Sequence, residues 1–585
     1  MNYRFLAIIL FTVLVLSITA PALAVTPSVG QAAGPGPASD VLIYKRVKEE
    51  DVVVALGTEI DMYLYHIDPS KAEQLKQNPN VVLYTAPAGL VDYCVNPAPV
   101  YTANYTGTLT KEEVAQREGV PVAAITYFEQ GNGWTYVEFG AYPGKGINPF
   151  AFRKVRLALN YLIDRDYVIN SIYMGYAAPM YTFLSAYDPN YDIIAPIVAQ
   201  YRFTYNPQLA DQMISEVLTA VGAEKGADGY WYYDGKPITI NGIIRIEDER
   251  KELGDILATE LEKLGIKVNR MYQQFGEAIY RVYYTDPADF EWHFYTEGWG
   301  KSGIDRWDYG TINQFGAPWY GWMPGYGEPT FWNYKNKTID ELGQKIFFGL
   351  FKSKEEYEQL YANATKLIIE ESVRIWIATT LDIYPALNTV KGITIDLGAG
   401  LRGIWNPREV FIPGSDTVRI GHRYVWTPTS IWNIYGGFTD VYSVDIERAT
   451  YDPFMWAHPT TGEPIPFRTD YTVETAGPDG KLDVPENALM WNATADEWQP
   501  VGSGVQATSK VTFDLSKVIG TKWHHGINIT WADVIGTWAY LLELTFDPEK
   551  SQIEGSIAGV NAPILEKIKG FVFDTVNNTL TVYVD

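Results

Sequence analysis

Asn148–Asp166 reads NPFAFRKVRLALNYLIDRD. Asn148 before Pro149 is a helix N-cap with proline at the first helical position, where its missing N–H costs nothing. Phe152, Val155, Ala158, Leu159, Leu162 and Ile163 recur at helical spacing and form one apolar face. Asn206-Pro207 repeats the opening ahead of Leu209, Ala210, Met213, Ile214, Val217 and Leu218. Working outward, Tyr230–Ile244 reads as a hairpin with Asp234-Gly235 at its turn. Glu249–Leu264 reads as a helix closed by Gly265, and Ile266–Met271 as a strand. Upstream, strands are expected at Leu42–Lys48, Ile60–Tyr65 and Val81–Thr85, with short helices at Asp51–Leu56 and Pro69–Gln77. Downstream come helices at Ile339–Phe351 and Glu355–Glu371 and a strand at Arg374–Thr380. A second section follows Pro413-Gly414, with strands at Thr417–Gly421 and Val511–Leu515. Thr530 caps a helix there, and Gly570–Asp574 with Thr579–Val584 make a hairpin around Asn577-Asn578. Strands alternating with helices in two blocks predict an α/β protein of at least two lobes.

Phe290–Tyr334 interrupts that alternation. It holds Trp292, Trp299, Trp307, Trp319, Trp322 and Trp332, six of the eighteen tryptophans, among many glycines. So much glycine disfavours a regular helix or strand. So many large rings disfavour a disordered linker. The stretch reads as structured loops whose rings either cover a core or line a cleft. For the cluster as a whole a cleft is expected, with flat faces for sugars or peptide side chains.

The chain has 585 residues and a formal net charge of −24. Its length calls for two or three domains. The charge disfavours nucleic acid and anionic membrane surfaces as partners. Arg4, the apolar run Phe5–Ile18 and Ala22-Leu23-Ala24 match a signal peptide over residues 1–24, and residues 25–39 read as a flexible lead-in. The single cysteine, Cys94, excludes an intramolecular disulfide. Asn-x-Thr sequons at Asn104, Asn336, Asn363, Asn492, Asn528 and Asn577 fit an exported chain.

No motif supports catalysis. There is no His-Glu-x-x-His and no Gly-x-Ser-x-Gly, and His524-His525 is the only histidine pair. Gly140–Gly146 is one residue short of a phosphate loop, lacks its Ser or Thr, and reads as a turn. Asp289, Glu291, Glu297 and Asp305 flank the aromatic loops, where a glycosidase would place a carboxylate pair. Solvated or ion-paired side chains are the simpler reading of each.

Asn148–Asp166 also resembles the "pf…vRqAinyaiDr" segment of the family 5 extracellular solute-binding proteins, and Tyr167–Pro179 continues the match. Tyr205–Gly222, Leu253–Val268, Ala55–Tyr63 and Val91–Pro97 resemble further blocks of that family. Lys522–Val534 (KWHHGINITWADV) is similar to "kwhDG.plTa.DV", with His525 where the family usually has Asp. That block follows the others here, whereas in most of the family it precedes them. The order resembles that of permuted archaeal relatives, in which the family segment would continue past Asp585.

The resemblance implies a two-lobed periplasmic-binding-protein-like fold (type II, class C-like), with mixed sheets and a hinge. Residues 40–84 and 301–413 would belong to lobe I, 85–300 to lobe II, and 414–585 to a permuted segment of lobe I. It implies a monomeric extracellular substrate-binding component of an ABC importer, exported by its signal peptide. Such a chain captures an oligopeptide or oligosaccharide and delivers it to a membrane permease, with no catalysis, cofactor or metal. Peptide-binding members commonly carry an aspartate soon after "gW" that fixes the peptide's α-ammonium. Here Gly298-Trp299 is followed by Gly300-Lys301-Ser302-Gly303-Ile304-Asp305, which leaves Asp305 as the polar anchor on a longer loop. Tyr295, Trp299, Trp307, Trp426, Trp432 and Tyr435 are expected as stacking walls. The rival readings are a secreted glycosidase or peptidase with an aromatic cleft, and a self-assembling surface-layer protein.

Overall fold

The computed structural model describes residues 37–585 except 302, 426–431, 434, 436, 439 and 478. The signal-peptide segment, most of the lead-in and Trp426 therefore lie outside the described residues. The chain folds into two compact units. One takes the chain up to Ala86, then Ser302–Trp307 and Ile383–Asp585; the other takes Pro87–Lys301 and Asp308–Asp382.

Eight strands carry the main-sheet topology: β1 (Val41–Arg46), β2 (Met62–Tyr63), β3 (Val81–Val95), β4 (Thr239–Arg245), β5 (Lys267–Gln273), β6 (Phe294–Gly300), β7 (Arg374–Leu387) and β8 (Thr417–His422). The unit boundaries fall inside β3, after Ala86, and inside β7, after Asp382. In the first unit the order is β1-β8-β2-β7. There β1 runs parallel to β8 from Val41 opposite Thr417 to Arg46 opposite His422. In the second unit the order is β7-β3-β6-β4-β5. β6 is antiparallel to β3, while β4 is parallel to both β5 and β6. Both sheet portions are mixed, and helices pack beside them, so the fold is α/β.

The Asn148 signal works differently from a simple helix cap. Asn148 is fully buried, accepts the Phe150 N–H at 3.0 Å and donates to the carbonyls of Asn96 and Ala98. It opens a 3-10 turn, Pro149–Ala151, and the α-helix starts only at Arg153 and runs to Leu159. The apolar face is all buried: Phe152, Val155, Ala158, Leu159, Leu162 and Ile163 join the core of the second unit. Asn206 does cap its helix, Pro207–Ala220, through the Leu209 N–H. Arg250–Lys263 is helical, and Gly265 follows it at φ +92°, where a Cβ would overlap the Gly229 carbonyl. The expected hairpin is shorter than its pattern: Trp231–Tyr233 pairs with Lys236–Pro237 around Asp234 and Gly235, both at positive φ. The residues beyond leave it as β4, because a continuous apolar run suits a buried parallel strand better than a hairpin arm.

In the first unit a six-stranded antiparallel sheet takes the order Asp470–Thr475, Ser509–Asp514, Thr579–Val584, Ile568–Asp574, Leu489–Asn492, Glu497–Pro500. The helix Trp531–Phe546, opened by a Thr530/Asp533 capping box, lays Trp538 against Phe571 with ring centroids 4.8 Å apart. Gly140–Gly146 is a turn between two short paired strands, with Gly144 and Gly146 at positive φ.

Candidate functional site

Alternation along β6 places Tyr295, Glu297 and Trp299 on one face of the strand. Their partners on β3 are Cys94, Asp92 and Leu90. Two carboxylates therefore stand directly opposite each other in the second unit, Asp92 at 1% exposure and Glu297 at 2%. Arg374, the first residue of β7, joins them: its Nε donates to Glu297 Oε2 at 2.8 Å and lies 3.9 Å from Asp92 Oδ2. Its Nη2 donates to the Trp322 carbonyl at 2.5 Å, and the Tyr283 hydroxyl donates to Glu297. Burial, and then the facing Glu297 charge, pushes Asp92 well above the usual carboxylate range. Sharing the Arg374 guanidinium with Glu297 in a dry interior favours the protonated form of Asp92.

Trp299 is half-buried above this group. Its ring meets Phe315 and Trp322 edge-on at 5.0 and 5.5 Å, and the Arg374 guanidinium carbon lies 5.5 Å from its centroid. Its buried Nε1–H has no acceptor among the described residues. Tyr295 shares the cluster with Trp299, but it is 1% exposed and accepts a hydrogen bond from Arg245 at its hydroxyl. Beyond β6, Lys301 is paired with Asp188 at 2.8 Å.

The other expected residues lie in the first unit. Asp305 and Trp307 are half-buried on the short 303–307 segment. That segment is clasped by two glycines: a Cβ on Gly398 would overlap Gly303, and one on Gly462 would overlap the Ile304 carbonyl. Trp432 and Tyr435 share one loop closed by mutual Asn433–Gly437 hydrogen bonds. Trp432 is 51% exposed and its Nε1 donates to Glu447, so one ring face is presented to solvent. Tyr435 is buried, its hydroxyl held by Thr545 and Asn561.

Most remaining rings of the aromatic stretch are structural. Trp292 is wholly buried, Trp319 donates to Asn313, and Trp332 donates to the buried Glu138. Of the flanking carboxylates, Glu291 pairs with Arg281 and Glu297 with Arg374, leaving neither placed as a free acid. Sequence reasoning missed Asp92 and Arg374. The signal was a lone aspartate inside the apolar run Gly89–Val95, since a buried charge calls for a partner.

Residues 33–321 match the family described as bacterial extracellular solute-binding proteins, family 5, middle segment. That match takes in just under half of the chain. A curated relative, heme-binding protein A of Haemophilus influenzae, is 26% identical over 256 residues, which is 42% of this chain and 39% of that protein. The chain thus spans well under half the length of the curated relative it matches. Among solved structures it is similar to NikZ from Campylobacter jejuni in complex with Ni(L-His), at 18% identity and a TM-score of 0.42 over 62% of this chain and 60% of that one. The oligopeptide-binding protein AppA of Bacillus subtilis, in complex with a nonapeptide, is 16% identical at a TM-score of 0.42 over 62% and 57%. A mannohexaose-bound periplasmic oligopeptide-binding protein of Thermotoga maritima is 14% identical at 0.42 over 59% and 55%. Among the described residues no helix is long and apolar enough to cross a membrane.

Proposed function

We propose that this chain is the extracellular solute-binding component of an ABC importer, capturing an oligopeptide or oligosaccharide and delivering it unchanged to a membrane permease. The match of residues 33–321 to the family 5 model supports the class. The observation that carries the site is Trp299: a half-buried indole, backed by Arg374, with an N–H that finds no acceptor among the described residues. Such a ring offers a flat face and a donor to a ligand that brings its own oxygen, as both a sugar and a peptide do. Trp432 offers an exposed ring of the same kind, and Asp305, Trp307 and Trp426 complete the proposed set. Tyr295 and Tyr435 act behind these residues by holding the backbone that presents them.

Titration calorimetry of the purified protein against oligosaccharides and short peptides tests this reading. A saturable one-to-one heat with an unchanged ligand supports it, and Trp299→Ala should weaken binding by roughly 1–3 kcal/mol. Release of cleaved sugar or peptide would overturn it.

A further inference from the structure

The six Asn-x-Thr sequons stand in very different surroundings. Asn336 caps a helix through the Ile339 N–H and donates its Nδ2 to Glu371. Asn492 accepts from Thr494 and Ala495 and donates to Gln499. Asn363 sits inside the helix Lys354–Glu371, and its sequon hydroxyl, on Thr365, is fully buried and donates to the Tyr361 carbonyl. The other three are exposed. Asn104 lies on the outward side of an edge strand, Tyr101–Thr106, with Thr106 exposed beside it. Asn528 ends the turn that closes Lys522 onto Asn528. Asn577 sits in the turn of the Ile568–Asp574/Thr579–Val584 hairpin, where its side-chain amide donates to Asp574 of the same turn.

A second observation falls at the same place. Trp523, Ile527 and Val576 are 43%, 63% and 87% exposed. Ile527 and Val576 directly precede Asn528 and Asn577, Trp523 N–H donates to the Ile527 carbonyl across the Asn528 turn, and Trp531 Nε1, on the helix that follows, donates to Asn578 of the other turn. Large apolar side chains left open at one edge of a domain ask for a cover.

We propose that Asn104, Asn528 and Asn577 are acceptors of N-linked oligosaccharide, which at the latter two shields this apolar edge; the proposal rests on export of the chain. The donor would be a lipid-phosphate-linked oligosaccharide. The side-chain amide nitrogen forms a bond to the anomeric carbon, the bond from that carbon to the phosphate oxygen breaks, and the lipid phosphate leaves with the electron pair. The amide gives up one proton to the transferring enzyme's base, and nothing is oxidised or reduced.

The full chain, made in its own host and fractionated, tests this by peptide mass spectrometry. Sugar mass increments at Asn104, Asn528 and Asn577, with Asn336, Asn363 and Asn492 bare, are expected. Asn528→Gln and Asn577→Gln should each remove one step of electrophoretic mobility. Protein recovered outside the membrane with those three asparagines bare overturns the modification alone, as does sugar on Asn336 or Asn492. Protein confined to the cytoplasm overturns export and the modification with it.

Discussion

Arg374 holds together the least soluble group of charges in the second unit. Removing it leaves Glu297 buried without its cation, and Arg374→Met should cost about 3–5 kcal/mol in urea-unfolding free energy. Asp92 behaves oppositely. Its folded proton affinity is raised by burial and by Glu297, with Arg374 and Arg250 opposing. A raised folded value means the contribution of Asp92 to stability is complete below about pH 4, its unfolded range, and is lost as the pH rises. Asp92→Asn should therefore gain on the parent from about pH 4 upward, read from denaturation midpoints across pH. Parallel curves would show that no proton is held there. In the first unit Asp445 is wholly buried, accepting from Arg448 at 2.8 Å with His422 Nε2 at 3.2 Å. Asp445→Ala should cost a similar about 3–5 kcal/mol by the same argument.

At the scale of elements, β4 and β6 are clipped by one histidine. The Asn241 N–H donates to His293 Nδ1 at 3.0 Å, and the His293 N–H returns a bond to the Asn241 carbonyl. Burial pushes His293 down to about 4. A lowered folded value means stability is lost as the pH falls below the unfolded value of about 6.5, by up to about 3 kcal/mol. Protection factors at the β4 amides, with the intrinsic pH dependence of exchange divided out, should fall as the pH drops through that window, and His293→Gln should flatten the dependence. β3 carries the clearest lesson about legibility. Val81–Thr85 reads as a strand that stops before Ala86-Pro87-Ala88-Gly89, yet one strand runs through those residues from Val81 to Val95. Gly89 is there for space: a Cβ would overlap Thr380 Oγ1 on β7. Gly89→Ala should destabilise by roughly 1–3 kcal/mol in thermal unfolding. Helices with strong caps and apolar faces, such as Pro207–Ala220, were plain in the sequence because their signals are local. The strands Asp470–Thr475 and Leu489–Asn492 were not, since short polar strands are defined by the partners they find. The site was half legible: aromatic residues in glycine-rich loops stood out, but whether a ring is wall or core depends on contacts such as those enclosing Trp292 and Tyr295.

For the whole molecule, two compact units with separate cores need not unfold together. A ligand binds the folded form and adds about 2.7 kcal/mol at a hundredfold excess over its Kd. Calorimetric scans with a bound oligosaccharide or peptide should therefore shift one transition if the ligand touches one unit and both if it touches both. That outcome assigns Trp299 and Trp432 to one ligand or to different roles.

The route of the chain has a consequence for biosynthesis. Everything the second unit needs has been synthesised once Asp382 is made, whereas β1 waits for β8, and Ser39 for the Val410 carbonyl, 371 residues away. The second unit can become protease-resistant on nascent chains while the early residues of the first are still unpaired strand edge, a natural substrate for a chaperone that recognises extended backbone.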